Sequence, residues 1–328
     1  MKAFSILEKP GYLALDFGMC LAMNAVQWRH RLKAGGRRDL EHYIEACERM
    51  TPDGYYAIPE QEISETEERR LKWKSPIESP FVENNLAHID LYPCKTGWTA
   101  PTVILLHALM STSDIGYRRW AGRFNELGWN ACFMHLPYHY SRVPHGYVNG
   151  ELAIGADLIR TAEGLRQGVI ELRQLMGNLR RRGCRKFGLW ASSYGAWIGA
   201  LLSFMERDFE FLALMEPIVN IEHAIWTGAA SISLRMELRR SGIDHALVRR
   251  HFHLTSPMHR SPLCGNERVL LSAGDYDRIA RYEDVEALRC AWPGSTILRV
   301  KQGHFGNRMM PAVFERLREQ GRFVVKSF

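Results

Sequence analysis

Between residues 102 and 303 the chain alternates between two kinds of segment, and that alternation limits the folds open to it. Six short apolar runs, TVILLHA, NACFMHLPY, KFGLWAS, FEFLALMEP, RVLLSAG and STILRVKQG, are rich in Val, Ile, Leu and Phe. Continuous apolarity over so few residues marks strands buried on both faces. The segments between several of them carry helical spacing instead. Trp120, Phe124 and Leu127 share one face of a helix that Gly128 ends. Leu158, Ala162, Leu165, Val169 and Leu172 step by four and three in a longer helix that Gly183 ends. Such alternation predicts an α/β fold, a mostly parallel central sheet with helices on both faces.

Two regions depart from the rhythm. Residues 218–265 separate two strands and read as helical and Arg-rich, too long for a connecting loop, and so as a helical cap over one end of the sheet. Residues 1–70 read as a mostly helical extension, charged toward its end in ISETEERRLKWK. After it, SPIESPFVENNLAHIDLYP reads as two strands around the turn residues Asn84 and Asn85. The apolar stretch GYLALDFGMCLAMNAV is interrupted by Asp16 and is short for a bilayer span. It reads as an amphipathic or buried helix, with peripheral membrane contact as the second reading.

Composition narrows the function classes. The seven cysteines are scattered without a CxxC pair, which predicts reduced thiols in a reducing compartment, the cytoplasm, and no zinc site. His251 and His253 read as packing or surface histidines. The net charge of +7 comes from basic residues spread along the chain without interleaved aromatics, so no nucleic-acid partner is expected.

The third strand runs into a helix through LWASSYGAW, residues 189–197. In a parallel sheet the strand C-termini share one edge, where ligands bind. A serine on a tight strand-to-helix turn sits at that edge. The turn is strained and crowded, so it needs small residues two places before and two places after the serine. Around Ser193 those are Ala191 and Gly195; around Ser192 they are Trp190 and Tyr194, which are too bulky. Ser193 is therefore the candidate nucleophile, in a G-x-S-x-G pattern with Ala in the first small place. Gly195, Ala196, Gly199 and Ala200 keep one side of the following helix thin against the sheet.

On these motifs, residues 75–328 resemble the alpha/beta-hydrolase superfamily, in its serine-nucleophile branch. In that family an acid follows the next-to-last core strand and a histidine follows the last. LLSAGDYDRIA carries the arrangement G-x-x-D from Gly274 to Asp277, so Asp277 is the acid implied, with Asp275 and Glu216 as alternatives. VKQGHFGN puts His304 directly after the last strand, flanked by Gly303 and Gly306. The resemblance also implies an oxyanion hole of two backbone N–H groups. One is that of Tyr194. The other comes from the loop after VILLH, which in the family often begins His-Gly-x with x donating; here it is His107-Ala108-Leu109, which implies Leu109, with Ala in place of Gly. LPYHYSRVPHG, residues 136–146, follows another strand and offers Tyr138, His139 and Arg142, together with His107, as substrate-binding residues. A loop held by its prolines is the other reading.

The organisation implied is an extension over 1–70 and a hydrolase domain over 71–328, with the cap inserted at about 218–265. The expected activity is that of a carboxylesterase-like serine hydrolase, cleaving an ester, thioester or amide of a small-molecule acyl substrate through an acyl-enzyme. No metal or organic cofactor is implied. Acyl transfer on the same residues, and a catalytically silent binding protein of the same fold, are the alternatives. Arg235, Arg239, Arg240, Arg249, Arg250 and Arg260 suggest a cap that receives an anionic acyl group or docks on an anionic membrane, against the alternative of a solvated helical face.

Overall fold

Each of the six apolar runs forms a strand, and the first five have side chains buried on both faces: β4 (Thr102–Leu106), β5 (Asn130–His135), β6 (Phe187–Ser192), β7 (Phe209–Met215), β8 (Val269–Gly274) and β9 (Thr296–Val300). Only β9, at one edge, is substantially exposed. The computed structural model describes residues 2–29, 34–59, 63, 65–67 and 69–323 of the 328-residue chain. Ahead of these strands come α1 (Lys2–Arg29), α2 (Arg37–Glu48), α3 (Pro52–Tyr55), β1 (Glu65–Glu67), β2 (Arg70–Lys74) and β3 (Leu86–Tyr92). Among the described residues the sheet has nine strands in the order β1-β2-β3-β5-β4-β6-β7-β8-β9. The pairs from β5 to β9 are parallel, and those joining β1, β2, β3 and β5 are antiparallel.

The period of two divides the core into two layers. Ile104, Leu106, Leu189 and Ala191 face one side, where α5 (Leu158–Arg181), α6 (Tyr194–Ser203) and α10 (Tyr282–Ala291) pack. Val103, Leu105 and Trp190 face the other, against α4 (Ile115–Glu126) and α11 (Met309–Glu319). Gly128 and Gly183, with φ of 80° and 102°, take the left-handed turn that ends α4 and α5. The insertion between β7 and β8 forms α7 (Ile221–Trp226), α8 (Ile232–Arg240) and α9 (His245–His251), as its helical character predicts.

The N-terminal third differs from expectation in two places. ISETEERRLKWK, read as helical, contains β1 and β2, so the division at residue 70 falls inside an antiparallel hairpin of the sheet. Leu71 and Trp73 are buried while their neighbours face outward, a strand period, and Trp73 Nε1 donates to Gln174 Oε1 at 2.8 Å. SPIESPFVENNLAHIDLYP holds one strand, β3, rather than two. Pro76 and Pro80 lack the N–H a ladder needs, and Ser79 N donates to Asn85 Oδ1 at 2.7 Å, folding 75–85 into a loop. Among the described residues no helix is long and apolar enough to cross a membrane.

Candidate active site

Ser193 stands between β6 and α6 with φ of 50°, a left-handed conformation for a residue that carries a Cβ. The turn is held on both sides: Ser193 N donates to Met215 O at 2.8 Å and Gly195 N to His107 O at 3.1 Å. A Cβ on residue 195 would lie 2.5 Å from His107 O, and one on residue 199 would lie 2.6 Å from Leu189 Cδ2. The small residues near the serine are therefore required by backbone and strand packed directly beneath the helix.

The loops after β8 and β9 meet the serine at the same sheet edge. Ser193 Oγ lies 2.9 Å from His304 Nε2, and His304 Nδ1 lies 2.7 Å from Asp277 Oδ2. The other oxygen of Asp277 accepts from Ile279 N at 2.7 Å and Ala280 N at 2.9 Å, which fixes the carboxylate. Asp275, the neighbouring alternative, points instead to Arg299 Nε at 2.8 Å. Burial opposes a charged His304, but Asp277 beside it, then Glu216 and Asp16, outweigh that and raise its pKa to about 9.

Glu216, the other alternative acid, follows β7 with φ of 50° and is buried. It accepts from Gln302 Nε2 at 2.9 Å. Burial raises its pKa to about 8, with further upward pressure from Asp277. Ligand atoms of Glu216, Asp277 and His304 lie within 4.8 Å of one another, as do those of His88, Asp90 and His135 on β3 and β5. In the second cluster Asp90 accepts from both Nε2 atoms, at 3.2 and 3.3 Å; Ser141 Oγ lies 2.7 Å from His88 Nδ1 and 2.9 Å from His135 Nδ1, and Ser141 N donates to His135 Nδ1 at 3.4 Å. Protein partners thus satisfy every ring nitrogen there.

The sequence did not single out Asp16 as part of the site. It lies on α1, 1% exposed, with Oδ2 accepting from His304 N at 2.9 Å and Oδ1 from Phe305 N at 3.3 Å. Burial raises its pKa, against the pull of those two N–H donors. The only available signal was one charge inside an otherwise apolar stretch.

Ala108 N donates to Tyr117 Oη at 3.3 Å and Met110 N to His139 Nε2 at 3.4 Å. Between them, the N–H of Leu109 has no acceptor among the described residues, and neither has that of Tyr194 at the start of α6. Leu109, Tyr194, Ser193 and His304 all line one cavity of about 630 Å³, within the range of small-molecule sites, about 300–1,000 Å³. Its walls are mostly apolar: Met19 and Met23 of α1, Trp197 of α6, and Ile225 and Leu234 of the inserted helices contribute.

The four residues proposed to bind substrate do not line this cavity. Arg142 is fully buried and makes a two-pronged ion pair with Glu171, at 2.6 and 2.8 Å. His107 Nδ1 bonds Ala108 O at 2.9 Å, and its Nε2 accepts from Leu136 N at 3.2 Å. His139 Nδ1 bonds Pro137 O at 2.8 Å, and Tyr138 is buried edge-on to Phe81. The loop after β5 folds back beneath the loop after β4, so these polar groups hold backbone rather than ligand. Nor do the cap arginines reach the cavity. Arg249 pairs with Glu222 at 2.6 Å and Arg250 with Glu48 at 2.9 Å, while Arg235 donates to Ile225 O at 3.0 Å.

No protein-family model and no curated protein matches this sequence. Solved structures do. The acetyl xylan esterase from Paenibacillus sp. R4 superposes with a TM-score of 0.57 at 11% identity, over 91% of this chain and 98% of that one. Acetyl xylan esterase 1 from Thermoanaerobacterium sp. JW/SL YS485 gives 0.56 at 15% identity, over 94% and 98%. XC6422 from Xanthomonas campestris, described as an a/b serine hydrolase without lid, gives 0.50 at 15% identity, over 82% and 100%.

Proposed function

We propose that this chain, which has the alpha/beta-hydrolase fold, is a serine hydrolase that cleaves a carboxylic ester through an acyl-enzyme. The observation that carries the reading is the hydrogen-bonded series Ser193–His304–Asp277 opening into an apolar cavity. His304 takes the Ser193 proton as Oγ attacks the acyl carbon, and returns it to the departing alcohol. Asp277 keeps the proton on Nδ1, so that Nε2 is free to accept, and stabilises the imidazolium. The N–H groups of Leu109 and Tyr194 face the oxygen on which charge develops, each worth about 3–4 kcal/mol. Water, activated by His304 in turn, then releases the acid. Thioesters and amides enter by the same steps. All seven cysteines are unpaired, which supports a reducing, cytoplasmic setting.

Labelling by a fluorophosphonate probe tests the reading, beside Ser193→Ala and Ser192→Ala. Labelling of the wild type and of Ser192→Ala, lost in Ser193→Ala, is the expected result. A folded wild type that takes no label would refute it.

A further inference from the structure

Helix α1 is amphipathic in the reverse sense. Its polar residues Asp16, Asn24 and Gln27 are buried against the protein. Its exposed arc carries Leu15, Phe17, Leu21 and Trp28, which are 45%, 62%, 52% and 58% exposed, with only Gly and Ala among the other exposed positions from 11 to 28. Two of these buried groups, Asp16 and Asn24, have specific partners. Asn24 Nδ2 donates to Cys20 O and Ala229 O, both at 2.8 Å, and Asn24 Oδ1 accepts from Ser233 N at 2.9 Å. The helix is therefore locked in this orientation, with its apolar side outward. The adjoining α8 exposes Ile232 and Met236, one turn apart.

The geometry points to an anionic lipid surface as the occupant of this face. The arc offers no charge and no hydrogen-bonding side chain except the Trp28 indole, so it holds almost nothing that would set the register of a protein partner. A fluid apolar layer requires none. The sequence just past Trp28 is RHRLKAGGRR, five cations and no acid in ten residues, which complements anionic headgroups. The cavity adjoins this surface as well: Met19 and Met23, on the inner side of α1, form part of its wall, one helix diameter, about 10–12 Å, from the outer arc. We propose that α1 is an interfacial anchor seating the chain on an anionic lipid layer, and that acyl esters held in that layer are its substrate class. The second half rests on the hydrolase reading above.

Co-sedimentation with vesicles tests it, comparing phosphatidylcholine alone with equimolar phosphatidylcholine and phosphatidylglycerol. The proteins are the wild type, Ser193→Ala and the double variant Leu21→Gln/Trp28→Gln, whose changes lie on the exposed arc. The wild type and Ser193→Ala bind the anionic vesicles more than the neutral ones, and the double variant loses binding by roughly tenfold or more. Turnover of soluble p-nitrophenyl butyrate is the same in wild type and double variant, while fatty-acid release from the anionic vesicles falls with binding. No vesicle binding by the wild type, or equal binding by the double variant, overturns the anchor. So does a wild-type dimer that becomes monomeric in the double variant without vesicle binding, since a second copy then covers the face. Vesicle binding and fluorophosphonate labelling without fatty-acid release overturns the substrate class. Vesicle binding with neither labelling nor any ester cleavage leaves the anchor standing and removes the hydrolase reading instead.

Discussion

Asp16 and His304 are 288 positions apart in the chain, yet one oxygen of Asp16 accepts the backbone N–H of His304 at 2.9 Å. Its other oxygen accepts from Phe305 N at 3.3 Å, so the first helix clamps the loop that aims the imidazole at Ser193.

Asp16 is a positioning residue on this reading, and its removal acts on rate rather than binding. A hydrogen bond to a charged group is worth about 1.5–3 kcal/mol, so Asp16→Ala lowers kcat roughly ten- to a hundredfold while KM barely moves. Asp16→Asn keeps one acceptor and recovers part of the loss. Steady-state kinetics on a soluble ester checks both, and a variant with unchanged kcat sinks the clamp.

The identity of the acid is tested by two amides. On the proposed mechanism Asp277→Asn presents the wrong partner to Nδ1 and costs on the order of 10⁴ in kcat, the size of that change in a serine-protease triad. Glu216→Gln keeps an acceptor for Gln302 and leaves turnover within about tenfold. The opposite ranking would give the role to Glu216.

The pH profile follows from the charges around the imidazole. On the proposed mechanism only neutral His304 can take the serine proton, and its raised pKa, about 9, puts the rise of kcat/KM on the alkaline side of neutrality. Glu216 and Asp16 both favour the imidazolium. Glu216→Gln and Asp16→Asn therefore move that limb to lower pH. A limb that stays in place in both variants would contradict the electrostatic link.

Arg142 separates a structural role from substrate contact. Arg142→Ala leaves Glu171 buried without its partner, a loss of about 3–5 kcal/mol that lowers the melting temperature. A residue that touched substrate would raise KM and leave the melting temperature alone.

These residues also show what a sequence can and cannot express. Ser193 is legible because the elbow's crowding is local: the demand at 195 comes from backbone a few ångströms away and leaves a small residue in the string. Asp277 and His304 are legible because strand ends deliver them. Arg142 misled because an arginine in a loop at the ligand edge looks free, and its partner Glu171 lies a helix away. β2 was hidden by the charges around it, although the alternation of Leu71 and Trp73 was there to read. Asp16 was hardly legible, since its meaning lies in two N–H groups 288 and 289 residues away.

That distance fixes an order of events in synthesis. Residues of α1 leave the ribosome before any strand of the sheet exists, while the His304 loop they clamp follows 288 residues behind Asp16. Until then α1 has its buried carboxylate unmatched and its apolar arc already exposed. The clamp needs both partners, so α1 and the histidine loop can meet only after the serine elbow between them has been made.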